Sequence, residues 1–141
     1  MTSTGKCLCG AITIATTGQP LGVVQCWCRQ CQTLAAGGPT HSAIFKSEDV
    51  TITGTLARSS YVAASGNTPT PYFCAACGTQ ICGLSSAAPE LVAVRLGALD
   101  QPHGLKPGIA IWTSEAPNWA VIDPALEQFA EQPAAPPPAN P

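Results

Sequence analysis

The chain is short of charge. Only 10% of its 141 residues are Asp, Glu, Lys or Arg, the formal net charge is -2, and no basic run appears anywhere. Nucleic acids and anionic membrane surfaces recruit proteins through clustered Lys and Arg, so neither is expected as a partner. Long apolar runs are missing as well: no window approaches the roughly 20 residues needed to cross a bilayer. The opening MTSTGKCLCG shows no basic stretch followed by an apolar one, so no secretory signal is read there and a cytoplasmic protein is expected. One core fits this length and two ordinary domains do not.

Extended helix-forming stretches are also scarce. Thirteen Gly and fourteen Pro cut the chain into short pieces, which leaves CRQCQTLAAG as the one candidate helix. Runs of β-branched residues predict strands in GAITIATTG, VTITGTLARSSYVA, LVAVRLGAL and GIAIWTS, with a further one in NWAVID. A mostly β fold follows. The expected organisation is one domain over residues 1–131 and a flexible Pro/Ala-rich tail over 132–141, where QPAAPPPANP has no apolar face and few backbone donors.

What the chain has in excess is cysteine, eight in all. In a reducing compartment such clusters serve as ligands or catalysts more often than as disulfides. CLCG carries Cys7 and Cys9, CWCRQC carries Cys26, Cys28 and Cys31, FCAACG carries Cys74 and Cys77, and Cys82 follows alone. Residues i and i+2 of an extended segment face the same way, so Cys7 and Cys9 present two sulfurs together at a strand edge. Cys74 and Cys77 form a knuckle, with Gly78 free to adopt a positive φ beside it. Pairing the two halves closes a four-thiolate site of the structural zinc type.

CWCRQC then stands with three thiolates, enough to hold a metal and leave a position for water or a thiol. Cys82 either packs as a small hydrophobe in its strand or completes that second set. On ligand type alone an iron–sulfur cluster is an alternative to zinc. Trp27 walls the open position or caps the core, and Arg29 pairs with a substrate carboxylate or balances the thiolates; both are carried as substrate-contact candidates. His41 and His103 read as loop histidines without a ligand role. Asp100 reads as a turn residue, and Tyr72, Phe73, Trp112 and Trp119 read as core.

These motifs resemble the GFA-like proteins, the CENP-V/GFA domain family named for the glutathione-dependent formaldehyde-activating enzyme. The resemblance runs nearly end to end, through CLCGAI, CWCRQCQTLAAG, FKSEDVTITG, FCAACGTQICG, VRLGALDQP and IWTSEAPNWAVID. It implies a compact β-tent fold with two zincs: Cys7, Cys9, Cys74 and Cys77 match the structural ligands, and Cys26, Cys28 and Cys31 the catalytic ones. The family pattern uses no cysteine at the position of Cys82. The implied activity is that of a carbon–sulfur lyase joining formaldehyde and glutathione as S-(hydroxymethyl)glutathione, with a small thiol or aldehyde as the partner. Many relatives have His where this chain has Trp27, and His where it has Ala110 before Ile111. Hydrolysis of an imine or similar electrophile on the same scaffold, and a non-catalytic zinc module that binds another protein, are the alternative functions.

Overall fold

The computed structural model describes residues 2–63 and 65–134, and its regular structure is mostly short strands. In chain order these are β1 (Thr2–Lys6), β2 (Thr13–Thr17), β3 (Gly22–Cys26), β4 (Thr40–Lys46), β5 (Val50–Thr53) and β6 (Leu56–Arg58). They continue with β7 (Pro69–Cys74), β8 (Gln80–Ser85), β9 (Leu91–Arg95), β10 (Ile109–Ile111) and β11 (Glu127–Gln128). One six-residue helix, α1 (Arg29–Leu34), falls within the segment whose composition predicts it.

Two sheets result, one ordered β1-β2-β5 and the other β11-β10-β3-β4-β9-β8-β7-β6. Antiparallel pairing prevails, but β10 lies parallel to both β3 and β11. Register-matched residues share a face and neighbours along a strand alternate, so the large sheet has two chemically distinct sides. Ala43 pairs with Val94, Phe45 with Val92, and Cys82 with Val94, all on one side. That side is the core, where Ile14 of the small sheet and Ile12 just before β2 meet Phe45, Val92 and Val94. Each such fully buried side chain contributes roughly 1.5–3 kcal/mol relative to exposure. The opposite side carries Cys26 paired with Thr40, and Ser42 paired with Arg95.

The small sheet is pinned to the chain far downstream. Gly5 bridges to Leu99, and a Cβ at Gly5 would run into the Ala98 carbonyl oxygen, so this crossing needs glycine. The Asp100 amide donates to the Thr4 carbonyl at 2.8 Å while its carboxylate accepts from the Thr4 hydroxyl. Asp100 thus ties β1 to the segment after β9, in addition to preceding the cis Gln101–Pro102 bond.

Several local expectations differ from what forms. NWAVID makes no strand; Val121 is 90% exposed and Trp119 67% exposed, so Trp119 is not a core residue. No neighbouring strand pairs with this segment, and an alternation of apolar residues alone buries nothing without one. β1, with the unpatterned sequence TSTGK, is a strand because β2 pairs with all five of its residues. VTITGTLARSSYVA divides into β5 and β6 at Gly54, whose φ is +117°. His41 is not a loop residue but lies within β4. Most of the tail expected over 132–141 lies outside the described residues; within them, Gln132 Oε1 accepts from Trp112 Nε1.

Candidate functional site

Cys7 and Cys9 come together in the tight turn that joins β1 to β2, rather than on an extended segment. The Gly10 amide donates to the Cys7 carbonyl, the Cys7 amide to the Ile12 carbonyl, and Gly10 has φ +80°. Midway along the chain, the β7–β8 turn repeats the device: the Gly78 amide donates to the Cys74 carbonyl with φ +79° at Gly78. Folding brings the two turns face to face. The four sulfurs of Cys7, Cys9, Cys74 and Cys77 lie within 4.8 Å of one another. Tetrahedral coordination with metal–sulfur bonds of about 2.3 Å requires sulfur separations of about 3.8 Å. Cys7 and Cys9 are 3.6 Å apart and Cys9 and Cys74 3.8 Å, so the set fits such an ion.

Backbone donors prepare these sulfurs for negative charge. Ile12 N–H points to Cys7 Sγ at 3.2 Å and Cys77 N–H to Cys74 Sγ at 3.4 Å. The Thr79 hydroxyl lies 3.2 Å from Cys77 Sγ and, with further backbone donors, draws the Cys77 thiol down to about 5.

The second set is built on the knuckle between β3 and α1. Cys26 ends β3, Cys28 caps α1 by accepting from the Cys31 amide at 3.3 Å, and Cys31 sits in the helix. Their three sulfurs also lie within 4.8 Å of one another, with no fourth Cys, His, Asp or Glu joining them among the described residues. Hydrogen bonds from the Cys26 and Cys28 thiols bring Cys31 down to about 3, against its burial, aided by Thr40 and the positive field of Arg95. Cys28 and Cys31 in turn push Cys26 far up. Three sulfurs this close cannot all ionise without a cation among them, and an all-sulfur donor set suits zinc.

The knuckle is clamped from the far end of the chain. Glu115 accepts the Arg29 amide through Oε2 at 2.6 Å, and its carbonyl accepts from Gln32 Nε2 at 2.9 Å. Gln32, only 3% exposed, also bonds the Trp27 carbonyl at 2.7 Å. The Arg29 side chain lies on Gln32 Oε1. Trp27 is buried at 4%, and its indole donates to Gln25 Oε1. Gln25 neighbours Cys26 on β3 and therefore faces the core side, away from the Cys26 side chain. Ala110 pairs with Gln25, so Trp27 and Ala110 gather around that one amide. His41, also opposite Gln25, stands 3.1 Å from its Nε2. The amide NH₂ donates, so the ring nitrogen accepts and the His41 proton lies on Nδ1. Burial holds His41 below its usual value. His103 is in the loop as read, accepting from the Leu105 amide through Nδ1.

A single span of sequence comparison covers both sulfur sets: residues 2–115 match the family model of the glutathione-dependent formaldehyde-activating enzyme. The chain belongs to that family. No curated protein matches this member of the family. Among solved structures, the crystal structure of a Rhodobacter sphaeroides protein superposes with a TM-score of 0.56. It is 21% identical and covers 74% of this chain and 91% of its own, a likeness that shows the fold. In this family member, residues beyond the matched span close the β10 edge, where β11 pairs with Ile109 and Ala110.

Cys82 is 2% exposed, in the core on β8, and outside both sulfur sets. Burial pushes its thiol up to about 11 from 9.0, with Arg95 opposing slightly. The folded state therefore favours the neutral thiol, and the stability this contributes is full below pH 9.0 and lost as pH rises through about 11. Denaturant midpoints of wild type and Cys82→Ala across pH 8 to 11 should converge toward the alkaline end, by about 2–3 kcal/mol in wild-type stability. Parallel curves would show that Cys82 does not titrate with unfolding.

Sequence reasoning missed Thr40, Ser42, Tyr61 and Arg95 beside the three-sulfur set. The first two show as small polar residues alternating with Ala43 and Phe45 in THSAIFK, a two-faced strand whose polar side is 8% and 5% exposed at Thr40 and Ser42. Tyr61 gives no such signal. Its phenol is pushed up to about 12 by burial and then by the fields of Cys31, Cys28 and Cys26.

Proposed function

We propose that this protein is a zinc-dependent enzyme that makes and breaks the bond between the sulfur of a small thiol and the carbon of an aldehyde. Glutathione and formaldehyde are the pair to which the family description points. One observation carries the reading: Cys26, Cys28 and Cys31 converge as a set of three, while Cys82, the cysteine that could have closed the set, is committed to the core. A closed four-sulfur site holds structure, and a three-sulfur site leaves room for a reactant.

Bound at the three-sulfur set, zinc would supply a Lewis-acid centre at which a thiol ionises near neutral pH. The chain's own residues do the rest. Cys28 and Cys31 are held by the α1 cap, Gln32 and Glu115 lock the knuckle, and Thr40 and Arg95 support negative charge on Cys31. In the forward direction the thiolate sulfur forms a bond to the carbonyl carbon, the C=O π pair moves to oxygen, and oxygen takes a proton. In reverse the hydroxyl loses its proton, C=O reforms and thiolate leaves. No cysteine of the protein becomes covalently modified. The four-sulfur set would hold a second zinc with a structural role. A cytoplasmic location agrees with eight free thiols reserved as two ligand sets and a core residue.

Exchange NMR of glutathione mixed with formaldehyde tests this directly. Protein loaded with two zincs per chain should speed interconversion of glutathione and its hydroxymethyl adduct well beyond the buffer rate. An unchanged exchange rate with both metals in place would overturn the reading.

A further inference from the structure

Arg95 lies on the Cys26 side of the large sheet, and its field on Cys31 leaves part of its hydrogen-bonding capacity unused. It ends β9 directly opposite Ser42, and Thr40, two residues before Ser42, lies opposite Cys26. All four side chains therefore project from one face, next to the three sulfurs. Arg95 Nη1 donates to Ser42 Oγ at 2.8 Å. Its Nη2 occupies the space over Gly83, where a Cβ would approach to 3.1 Å. Arg95 Nε is buried with no hydrogen-bond partner, and no carboxylate among the described residues pairs with the guanidinium.

Nε–H and Nη2–H form the side edge of a guanidinium, the fork that accepts a carboxylate through two parallel hydrogen bonds. Ser42 takes the other end and so fixes the plane of the fork. A buried N–H left without a partner is destabilising, and an arriving anion would remove that penalty. The field of Arg95 acts on Cys31, in keeping with the shared face of Arg95, Ser42, Thr40 and Cys26.

We infer that Arg95, oriented by Ser42 and given room by Gly83, binds a carboxylate of the thiol substrate, so that the site selects acidic thiols over neutral ones. This rests on the reading of the three-sulfur set as a thiol site. If Arg95 served only to balance the charge of the sulfurs, it would affect acidic and neutral thiols alike, so the comparison between them separates the two roles.

The test is calorimetric titration of the zinc-loaded protein with 3-mercaptopropionate and its neutral amide, each on wild type, Arg95→Gln and Gly83→Ala. Wild type should prefer the acid by roughly 10- to 100-fold, the ratio a charge-assisted hydrogen bond commands. Arg95→Gln should remove the preference by weakening the acid far more than the amide, with two zincs per chain still bound to show that the site is intact. Gly83→Ala should reduce the preference without changing any charge, because its Cβ displaces Nη2. A preference that survives Arg95→Gln, or equal weakening of both thiols, overturns the assignment. If wild type binds both thiols equally, Arg95 has no such role and the thiol reading stands. If it binds neither, the thiol reading falls and takes this assignment with it.

Discussion

Cys77→Ser should leave a protein without a cooperative unfolding transition. Cys77 is one of four sulfurs that join the β1–β2 turn to the β7–β8 turn, two segments separated by 65 residues between Cys9 and Cys74. Cys7 and Cys74 are each 1% exposed and belong to the core cluster, so the ligand set and the core are one body. A structural zinc of this type binds with roughly 10–16 kcal/mol of apparent free energy, as much as the whole stability of an ordinary domain at about 5–15 kcal/mol. Serine is a poor ligand for zinc at neutral pH, and without the ion the remaining thiols lose what holds them together. Thermal scans followed by circular dichroism, with metal content measured on the same samples, check this. A melt within a few degrees of wild type would show that the fold does not depend on the four-sulfur set.

Cys28→Ser should do the opposite: spare the fold and remove the chemistry. Cys28 caps α1 by accepting from the Cys31 amide, and serine is among the best residues at such a position, so the helix start survives the change. What is lost is one of three sulfurs, which leaves Cys26 and Cys31 alone at the site. Metal analysis should find about one zinc per chain where wild type holds about two. Exchange between glutathione and its hydroxymethyl adduct should slow by about a hundredfold or more, since metal charge stabilisation amounts to several kcal/mol. The melting transition should remain cooperative. Loss of both metals, or unfolding as severe as in Cys77→Ser, would contradict the division of labour between the two sets.

The grouping of the cysteines into a set of four and a set of three was legible in residue spacing because ligand knuckles are local. C-x-C-x-x-C and C-x-x-C-G set their sulfurs within one turn of chain, and the positive φ at Gly78 follows from its place beside the knuckle. Patterning also revealed β2 and β9, where Ile14, Val92 and Val94 alternate with exposed or half-exposed neighbours. It misled in NWAVID, whose apolar residues found no partner strand, and was silent on TSTGK, which is a strand only through β2. Strand existence depends on a neighbour's hydrogen bonds as well as on the strand's own residues.

By itself, the sequence determined a mostly β domain and two sets of cysteines, four and three, since composition and short-range spacing act within a few residues. What surrounds those sets came from strand pairing across the sheet. The register of β3, β4 and β9 puts Thr40, Ser42 and Arg95 on the side of Cys26, and turns Gln25, His41 and Cys82 to the other. A one-residue slip would exchange the two groups, because side chains in a strand alternate with a period of two. Cys82 is thus a core residue and Arg95 a neighbour of the sulfurs for the same physical reason: strand pairing, which no single segment specifies alone, chooses the face.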